Sequence, residues 1–125
     1  AVADFTPDHT ADHKIKRGKD GMTIQLKPTK DIAASLGATK KEGQVLVGFA
    51  LETNDEQQNA KGKLERKNFD FIVLNSLNDK GAGFRVDTNK ISIIDRQDTT
   101  SYPLKNKSEV AKDIIDRLVQ TLNKN

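Results

Sequence analysis

Two clusters of cationic side chains are the residues of this chain best suited to chemistry. The formal net charge is only +3, but the positive charges are grouped, and such groups attract the phosphates of nucleic acid or of a small nucleotide. A solvated basic surface is the alternative interpretation. One Tyr, five Phe and no Trp leave few rings for base stacking, which argues against nucleic acid. The clusters are Lys14, Lys16, Arg17 and Lys19, and Lys61, Lys63, Arg66 and Lys67.

The opening residues, Ala1 to Phe5, are typical of the end of a buried strand that runs into a carboxylate. Small apolar residues before Asp4 suit the carboxyl edge of a parallel sheet, where open α/β folds bind their ligands. A turn-capping role for Asp4 is the alternative. We therefore interpret the chain as the C-terminal portion of a larger α/β domain whose first half is absent.

Several classes of chemistry are excluded by residues that the chain lacks. There is no cysteine, and hence no disulfide, thiolate nucleophile or cysteine metal site. His9 and His13 cannot form a structural zinc site without carboxylates. Gly81 to Phe84 is too short for a phosphate-binding fingerprint and predicts a tight turn. No apolar run approaches a membrane span and no signal peptide is visible, so a cytoplasmic protein is expected. Cations, a strand-end Asp and a helix N-terminus remain, and these bind phosphates.

The elements that must position these residues alternate between strands and helices. Gln44–Ala50 is a nearly continuous apolar run, typical of a central strand buried on both faces. Thr29 is predicted to cap the first helix and Gly37 to end it. The last helix is amphipathic, with Ile115 and Val119 beside its main apolar stripe. The predicted strands are Met22–Lys27, Gln44–Ala50, Phe69–Leu74, Lys90–Asp95 and Tyr102–Leu104, and the predicted helices are Lys30–Leu36, Asn54–Asn68 and Ser108–Leu122.

This order predicts an α/β fold with a mostly parallel sheet, because alternating strands and helices form crossover units. The last two strands are separated only by a polar turn and predict an antiparallel hairpin extension. Thr6–Gly21 predicts a long loop, and loops of that length are usually functional lids or disordered.

Taken together, the segments resemble phosphopantothenate–cysteine ligase, the synthetase half of the bifunctional phosphopantothenoylcysteine decarboxylase/synthetase. The resemblance implies a Rossmann-like three-layer α/β domain, of which residues 1–125 are the C-terminal portion. It covers essentially the whole chain in the family's order. The matching segments are Ala1–Phe5, Lys14–Arg17, Thr29–Ile32, Val47–Thr53, Asp70–Asn75, Gly83–Phe84 and Asp87–Asn89.

The resemblance implies CTP-dependent ligation of 4'-phosphopantothenate and cysteine through an acyl-cytidylate, in coenzyme A biosynthesis. Mg²⁺ is the expected companion of CTP, and FMN is expected only in a fused decarboxylase domain that lies outside this sequence. A homodimer in contact through the Lys90–Leu104 hairpin is expected, with no nucleic acid or membrane partner. The segment alone is expected to be inactive. The alternative function is a nucleotide-binding module without catalysis.

By the same resemblance, Lys14 is the catalytic lid lysine that closes on the triphosphate, and Asp4 contacts the nucleotide or a metal ion. A solvated basic loop is the alternative for Lys14. The first turn of the first helix is implied to contact the nucleotide, with a plain capped helix as its alternative. The residues of that turn are Lys30, Asp31, Ile32 and Ala33.

The remaining candidate residues lie in or after the later predicted strands. Phe49 matches the residue whose backbone faces the nucleotide base, or else a core residue, and Asn75 is a candidate for contact with substrate. Lys63 and Lys67 match two nucleotide-binding lysines, and their spacing of four residues places them on one helix face. No carboxylate at helical spacing is available to pair with them, so this face is predicted to be open to a polyphosphate.

Overall fold

The computed structural model describes residues 2–76 and 86–124. It divides into two compact units, Ala1–Ile32 and Ala33–Asn125, which are described separately. The predicted turn at Gly81–Phe84 lies outside the described residues. Within them the elements are β1 (Phe5–Pro7), β2 (Leu26–Pro28), α1 (Ile32–Thr39), β3 (Val47–Glu52), α2 (Glu56–Arg66), β4 (Phe71–Ser76), β5 (Thr88–Asn89), β6 (Ile91–Ile94), β7 (Thr99–Ser101), β8 (Lys105–Asn106) and α3 (Lys107–Leu122).

The first unit is a short antiparallel ribbon of β1 and β2, with Phe5 opposite Pro28. The Thr29 hydroxyl donates to the Ala3 carbonyl oxygen at 2.7 Å, and the Thr29 N–H donates to the Asp4 carbonyl oxygen at 2.9 Å. The opening residues therefore do not end a buried parallel strand, and Thr29 does not cap a helix. Both predictions are wrong because short apolar or hydroxyl residues serve equally well in an exposed ribbon.

The strand predicted at Met22–Lys27 is displaced toward its end. Only Leu26–Pro28 pairs, while Met22 and Ile24 precede the strand and are exposed. Alternating residues indicate a half-buried strand only where a core covers one face. The ribbon has no such cover within its own unit.

Helix α1 begins two residues later than predicted and continues through the glycine expected to end it. It runs from Ile32 to Thr39, and Gly37 is its buried residue. Lys30 and Asp31 thus precede the helix, so only Ile32 and Ala33 of the predicted first turn belong to it. Gly37 is required for close packing rather than for a cap, since a Cβ there would lie 1.9 Å from the Lys67 carbonyl oxygen.

The second unit contains a four-stranded sheet in the order β3-β4-β6-β7. β3 and β4 are parallel, and the other two pairings are antiparallel. β4 is buried on both faces: Ile72 and Leu74 pack in one cluster with Leu64 of α2, and Val73 packs in the other with Val110 of α3. This helix–sheet–helix arrangement confirms the α/β fold class and the buried strand predicted at Phe69–Leu74.

β3 lies at the edge of the described sheet and not at its centre. Gly48 and Ala50 are buried, but Phe49 is 65% exposed. A continuous apolar run shows that a strand is suited to burial on both faces and does not show its place in the strand order. The central position predicted for this strand is therefore wrong for the sheet of residues 33–76 and 86–124.

An antiparallel hairpin is confirmed as β6 and β7, with Ile93 opposite Thr100. Its second strand is Thr99–Ser101, within the segment predicted to be the turn, so the strand predicted at Tyr102–Leu104 is wrong. Ile91, Ile93 and Ile94 are all buried within the chain itself. These three side chains are therefore not available for the dimer contact expected at the hairpin. The homodimer stays a prediction.

The last helix is confirmed as α3, where Glu109 accepts a hydrogen bond from the Asn106 N–H at 3.2 Å. Val110 is buried, and Ile114 and Leu118 pack against the same cluster. Neither α3 nor any other helix among the described residues is both long and apolar enough to cross a membrane.

Candidate functional site

The carboxyl ends of the two parallel strands form the edge at which an α/β sheet usually binds its ligand. β3 ends at Glu52 and β4 ends at Ser76, and these two residues are paired in register. The chain then turns from Glu52 into α2, which begins at Glu56. The edge is thus built by the ends of both strands, the turn after β3 and helix α2.

Glu52 is held at this edge by two side chains from one face of α2. The Lys63 ammonium nitrogen lies 2.5 Å from the Glu52 Oε1 atom. The Asn59 amide lies 3.4 Å from Glu52 Oε2 and donates at 2.9 Å to the Asn54 carbonyl oxygen. Asn59 and Lys63 are four residues apart, so both side chains reach the same strand end.

This contact corrects the prediction of an unpartnered lysine face. The residues of α2 at helical spacing from Lys63 include no carboxylate, but the preceding strand supplies one, Glu52. The Glu52 side chain is only 13% exposed. A partly buried carboxylate without a cation carries a desolvation cost, and Lys63 offsets it.

A cavity of about 600 Å³ lies beside this face of α2. Its charged lining consists of Glu52, Asp55, Lys63 and Arg66, two carboxylates and two cations. The cavity is therefore balanced in charge rather than cationic. A polyphosphate would have to draw Lys63 away from Glu52, whereas a zwitterionic or mixed polar ligand meets both charges.

Lys67 and Asn75 occupy different surroundings from Lys63. Lys67 is the residue that ends α2, and its backbone N–H donates to the Lys63 carbonyl oxygen at 3.0 Å. Asn75 lies one residue before the end of β4, and its Oδ1 accepts a hydrogen bond from the Asn89 amide at 2.9 Å. Asn75 therefore reaches the carboxyl edge, as predicted for a residue in contact with substrate, while Lys67 lies at the far end of the helix from Glu56.

The other candidates are distributed over both units. Asp4, Lys14, Lys30 and Asp31 belong to the first unit, where all four are exposed, and Ile32 begins α1. Ala33 packs against the core of the second unit. Phe49 lies on the exposed side of β3. The structure thus brings Lys63 and Asn75 to one edge of the second unit, and the binding roles of all these residues stay predictions.

A second polar network lies at the opposite end of β4. Asp70 accepts from the Lys40 ammonium at 3.0 Å and from the Leu46 N–H at 2.6 Å. Asp95, at the end of the antiparallel β6, is bound by the Arg117 guanidinium. Burial by itself would raise the pKa of Asp95, but the backbone N–H groups of Asp98 and Gln97, together with Arg117, hold that pKa below its ordinary value. These charges are satisfied within the fold and connect strands to helices.

Sequence reasoning did not assign a role to Glu52, Asn59 or Asn89. The signal for Glu52 was present, since it is a carboxylate two residues after the buried strand predicted at Gln44–Ala50, a pattern similar to the one that singled out Asp4. Asn59 and Asn89 carried no comparable signal. Asn59 donates a hydrogen bond to Glu52 and Asn89 donates one to Asn75, and the tertiary fold decides that these side chains lie together.

Comparison with known proteins decides the family. The family model described as the DNA/pantothenate metabolism flavoprotein C-terminal domain matches residues 1–122. The chain belongs to this family. The crystal structure of the C-terminal domain of the coenzyme A biosynthesis bifunctional protein CoaBC has the same fold, with a TM-score of 0.72 and 30% identity, over 99% of this chain and 52% of that one. The family's Rossmann-like α/β architecture is thereby shown for this chain.

Two curated relatives are longer than this chain. A cysteine/cysteine sulfinic acid decarboxylase of an unknown prokaryotic organism is 60% identical over 120 residues, which are 95% of this chain and 33% of the relative. The coenzyme A biosynthesis bifunctional protein CoaBC of Bacillus subtilis (strain 168) is 45% identical over 94% of this chain and 29% of the relative. The chain thus spans about a third of the length of these relatives.

The decarboxylase name of the 60% identical relative contradicts the expectation of a phosphopantothenate–cysteine ligase. The synthetase identity and CTP-dependent ligation are therefore not carried further. The physical reason is that the supporting features were general. Clustered cations and a helix N-terminus attract carboxylates as well as phosphates, so they do not distinguish a triphosphate from an amino-acid substrate.

The family name implies a flavin, and the cavity beside α2 does not fit one. Its lining contains no aromatic side chain, and one of its two cations, Lys63, is already paired with Glu52. An isoalloxazine ring needs an apolar slot, and a flavin phosphate needs cations that are not already neutralised. The cavity is suited to a small polar molecule instead.

Proposed function

We propose that the longer protein of which this chain is a part is a decarboxylase that acts on a cysteine-derived carboxylic acid. The observation that supports this most directly is the 60% identity, over 95% of the chain, to a protein named as a cysteine/cysteine sulfinic acid decarboxylase. We propose further that the reaction belongs to coenzyme A biosynthesis, since the Bacillus subtilis relative is named for that process.

In this proposal the present chain binds substrate and does not supply the electron sink. Decarboxylation leaves an electron pair on carbon, and reactions of this class depend on a cofactor to accept it. A lysine ammonium paired with a carboxylate, as Lys63 is with Glu52, and an asparagine amide bind and orient charged groups but offer no electron-poor double bond to accept an electron pair. We therefore place FMN, as first expected, in a part of the longer protein outside residues 1–125.

The Glu52–Lys63 pair is the proposed point of contact with the substrate. An amino acid carries an ammonium and a carboxylate group, and the cavity beside α2 presents one carboxylate and one ammonium 2.5 Å apart. The substrate ammonium can contact Glu52 and the substrate carboxylate can contact Lys63. Neither side chain then loses its opposite charge, as a partly buried ion pair requires.

The test uses the full-length protein and measures CO2 release from cysteine, cysteine sulfinic acid and phosphopantothenoylcysteine in separate reactions. Release from at least one acid is expected. In the Lys63→Met variant we expect a raised KM for that acid with little change in kcat, as for a residue that contributes uniform binding.

Two results would overturn the proposal. The first is the absence of CO2 from all three acids, with CMP formed from CTP in the presence of phosphopantothenate and cysteine. The second concerns the site alone: if Lys63→Met leaves KM unchanged, the ion pair is structural and the substrate binds elsewhere.

A further inference from the structure

The outward face of α3 is a continuous apolar stripe that the described chain does not cover. Ala111, Ile115, Val119 and Leu122 follow one another at intervals of three or four residues, so they share one side of the helix. All four are exposed, Ile115 at 55% and Val119 at 49% of their surface. The stripe extends about 16 Å along the helix, at 1.5 Å per residue.

This stripe is distinct from the face that builds the core. Val110, Ile114 and Leu118 pack against the sheet strands, and they lie one residue before Ala111, Ile115 and Val119 respectively. α3 is thus apolar on two adjoining faces, of which only one is buried in the second unit. A helix with such a wide apolar surface is typical of one that is packed on two sides.

A second surface of the same unit also lacks a partner. β3 is the outermost strand of the described sheet, and beside its buried Gly48 and Ala50 it exposes Phe49 and Leu51. An outermost strand offers a row of backbone groups to another strand. An α/β domain supplies strands and helices together, so one neighbouring segment can cover both surfaces.

The related crystal structure indicates which segment this is. The present chain matches 99% of its own length to only 52% of the CoaBC C-terminal domain. About half of that domain therefore lies outside the match, enough for further strands and helices of the same fold. We propose that the stripe on α3 is the docking surface for the rest of the same domain, through an apolar face of one of its helices.

The coverage of the stripe can be measured by thiol labelling of the full-length protein. Val119→Cys places a thiol within the stripe, and Gln120→Cys places a matched thiol on the next residue, outside it. Labelling is followed by mass spectrometry of the α3 peptide, so other thiols of the longer protein do not interfere. We expect the thiol at position 119 to react at least tenfold more slowly than the thiol at position 120.

The occupant is identified by a photo-cross-linking residue at position 119 of the full-length protein. A link within one chain to residues outside 1–125 supports the proposal, because the product keeps the mass of a single chain on a denaturing gel. A product of doubled mass would assign the stripe to a second copy. Equal labelling of the two thiols would show an uncovered surface, and either of these results overturns the proposal.

Discussion

Replacing Gly37 by alanine sets two opposite effects against each other inside α1. Alanine is favoured over glycine by about 1 kcal/mol in a helix interior, which on its own predicts stabilisation. The added Cβ would lie 1.9 Å from the Lys67 carbonyl oxygen and 3.3 Å from the Asn68 Cβ. Both obstacles belong to the chain at the end of α2 and not to a flexible side-chain tip, so α1 would have to move away.

The steric effect is expected to dominate. Overpacking of a buried site costs about 1–3 kcal/mol. The displacement also stretches the hydrogen bond from the Asn68 amide to the Gly37 carbonyl oxygen, now 3.0 Å, which contributes about 0.5–1.5 kcal/mol. After the gain in helix propensity is taken into account, we expect a net destabilisation of about 2 kcal/mol.

The matched control is Gly62→Ala in α2. There the added Cβ would meet only the Arg66 guanidinium, at 2.9 Å, and that flexible group can move aside. This substitution should therefore stabilise α2 by up to about 1 kcal/mol. The pair of variants separates steric packing from helix propensity, because the residue change is identical.

Urea unfolding of the longer protein, followed by hydrogen exchange of peptides from α1 and α2, measures both effects. With a urea dependence of about 1–3 kcal/mol per molar, the Gly37→Ala midpoint should fall by roughly 1 M, and the Gly62→Ala midpoint should rise or stay the same. A stabilised Gly37→Ala protein would refute the close approach of α1 to the end of α2.

Further predictions concern the charged residues. In a double-mutant cycle of Glu52→Gln and Lys63→Met, we expect a coupling free energy of unfolding of only about 1 kcal/mol, because Lys63 is partly exposed. A coupling near zero would show that the ion pair does not stabilise the protein in solution. Lys14→Ala, at an exposed position of the first unit, should change the free energy of unfolding measured in urea by no more than about 0.5 kcal/mol, and a larger loss would mean that this loop is packed. Asp95→Asn should lower the free energy of unfolding by about 1–3 kcal/mol at pH 7. Because the folded pKa of Asp95 is lowered, this difference should shrink as the pH falls below about 4; a difference that is constant down to pH 2 in urea titrations would exclude an electrostatic origin.

The sequence was informative where a local pattern and the tertiary fold act in the same direction. The long α3, the polar α2 and the buried β4 were predicted with small shifts of their ends, and a hairpin was predicted after β4, although its second strand lies at Thr99–Ser101 and not at Tyr102–Leu104. Each has a periodicity or an apolar run that few other structures satisfy. The α/β class followed from their order, and the comparisons with known proteins agree with it.

Local signals were least reliable in the first unit and at α1. The alternation at Met22–Lys27 and the small residues at Ala1–Phe5 are compatible with several extended structures. Gly37 has the residue type of a helix end, yet it lies within α1. Its role depends on the position of Lys67, thirty residues further along the chain, which no local pattern contains.

At the candidate site, too, some features could be predicted from the sequence and others depended on the tertiary structure. The sequence by itself determined which charges are available, that Lys63 lies on a helix and that Asn75 follows a predicted strand. Only the tertiary structure decided that Lys63 is paired with Glu52 and that Asn75 is bound by Asn89, because each partner lies more than ten residues away in sequence. A charged side chain takes its partner from whichever element packs beside it, and that choice is made by the fold as a whole.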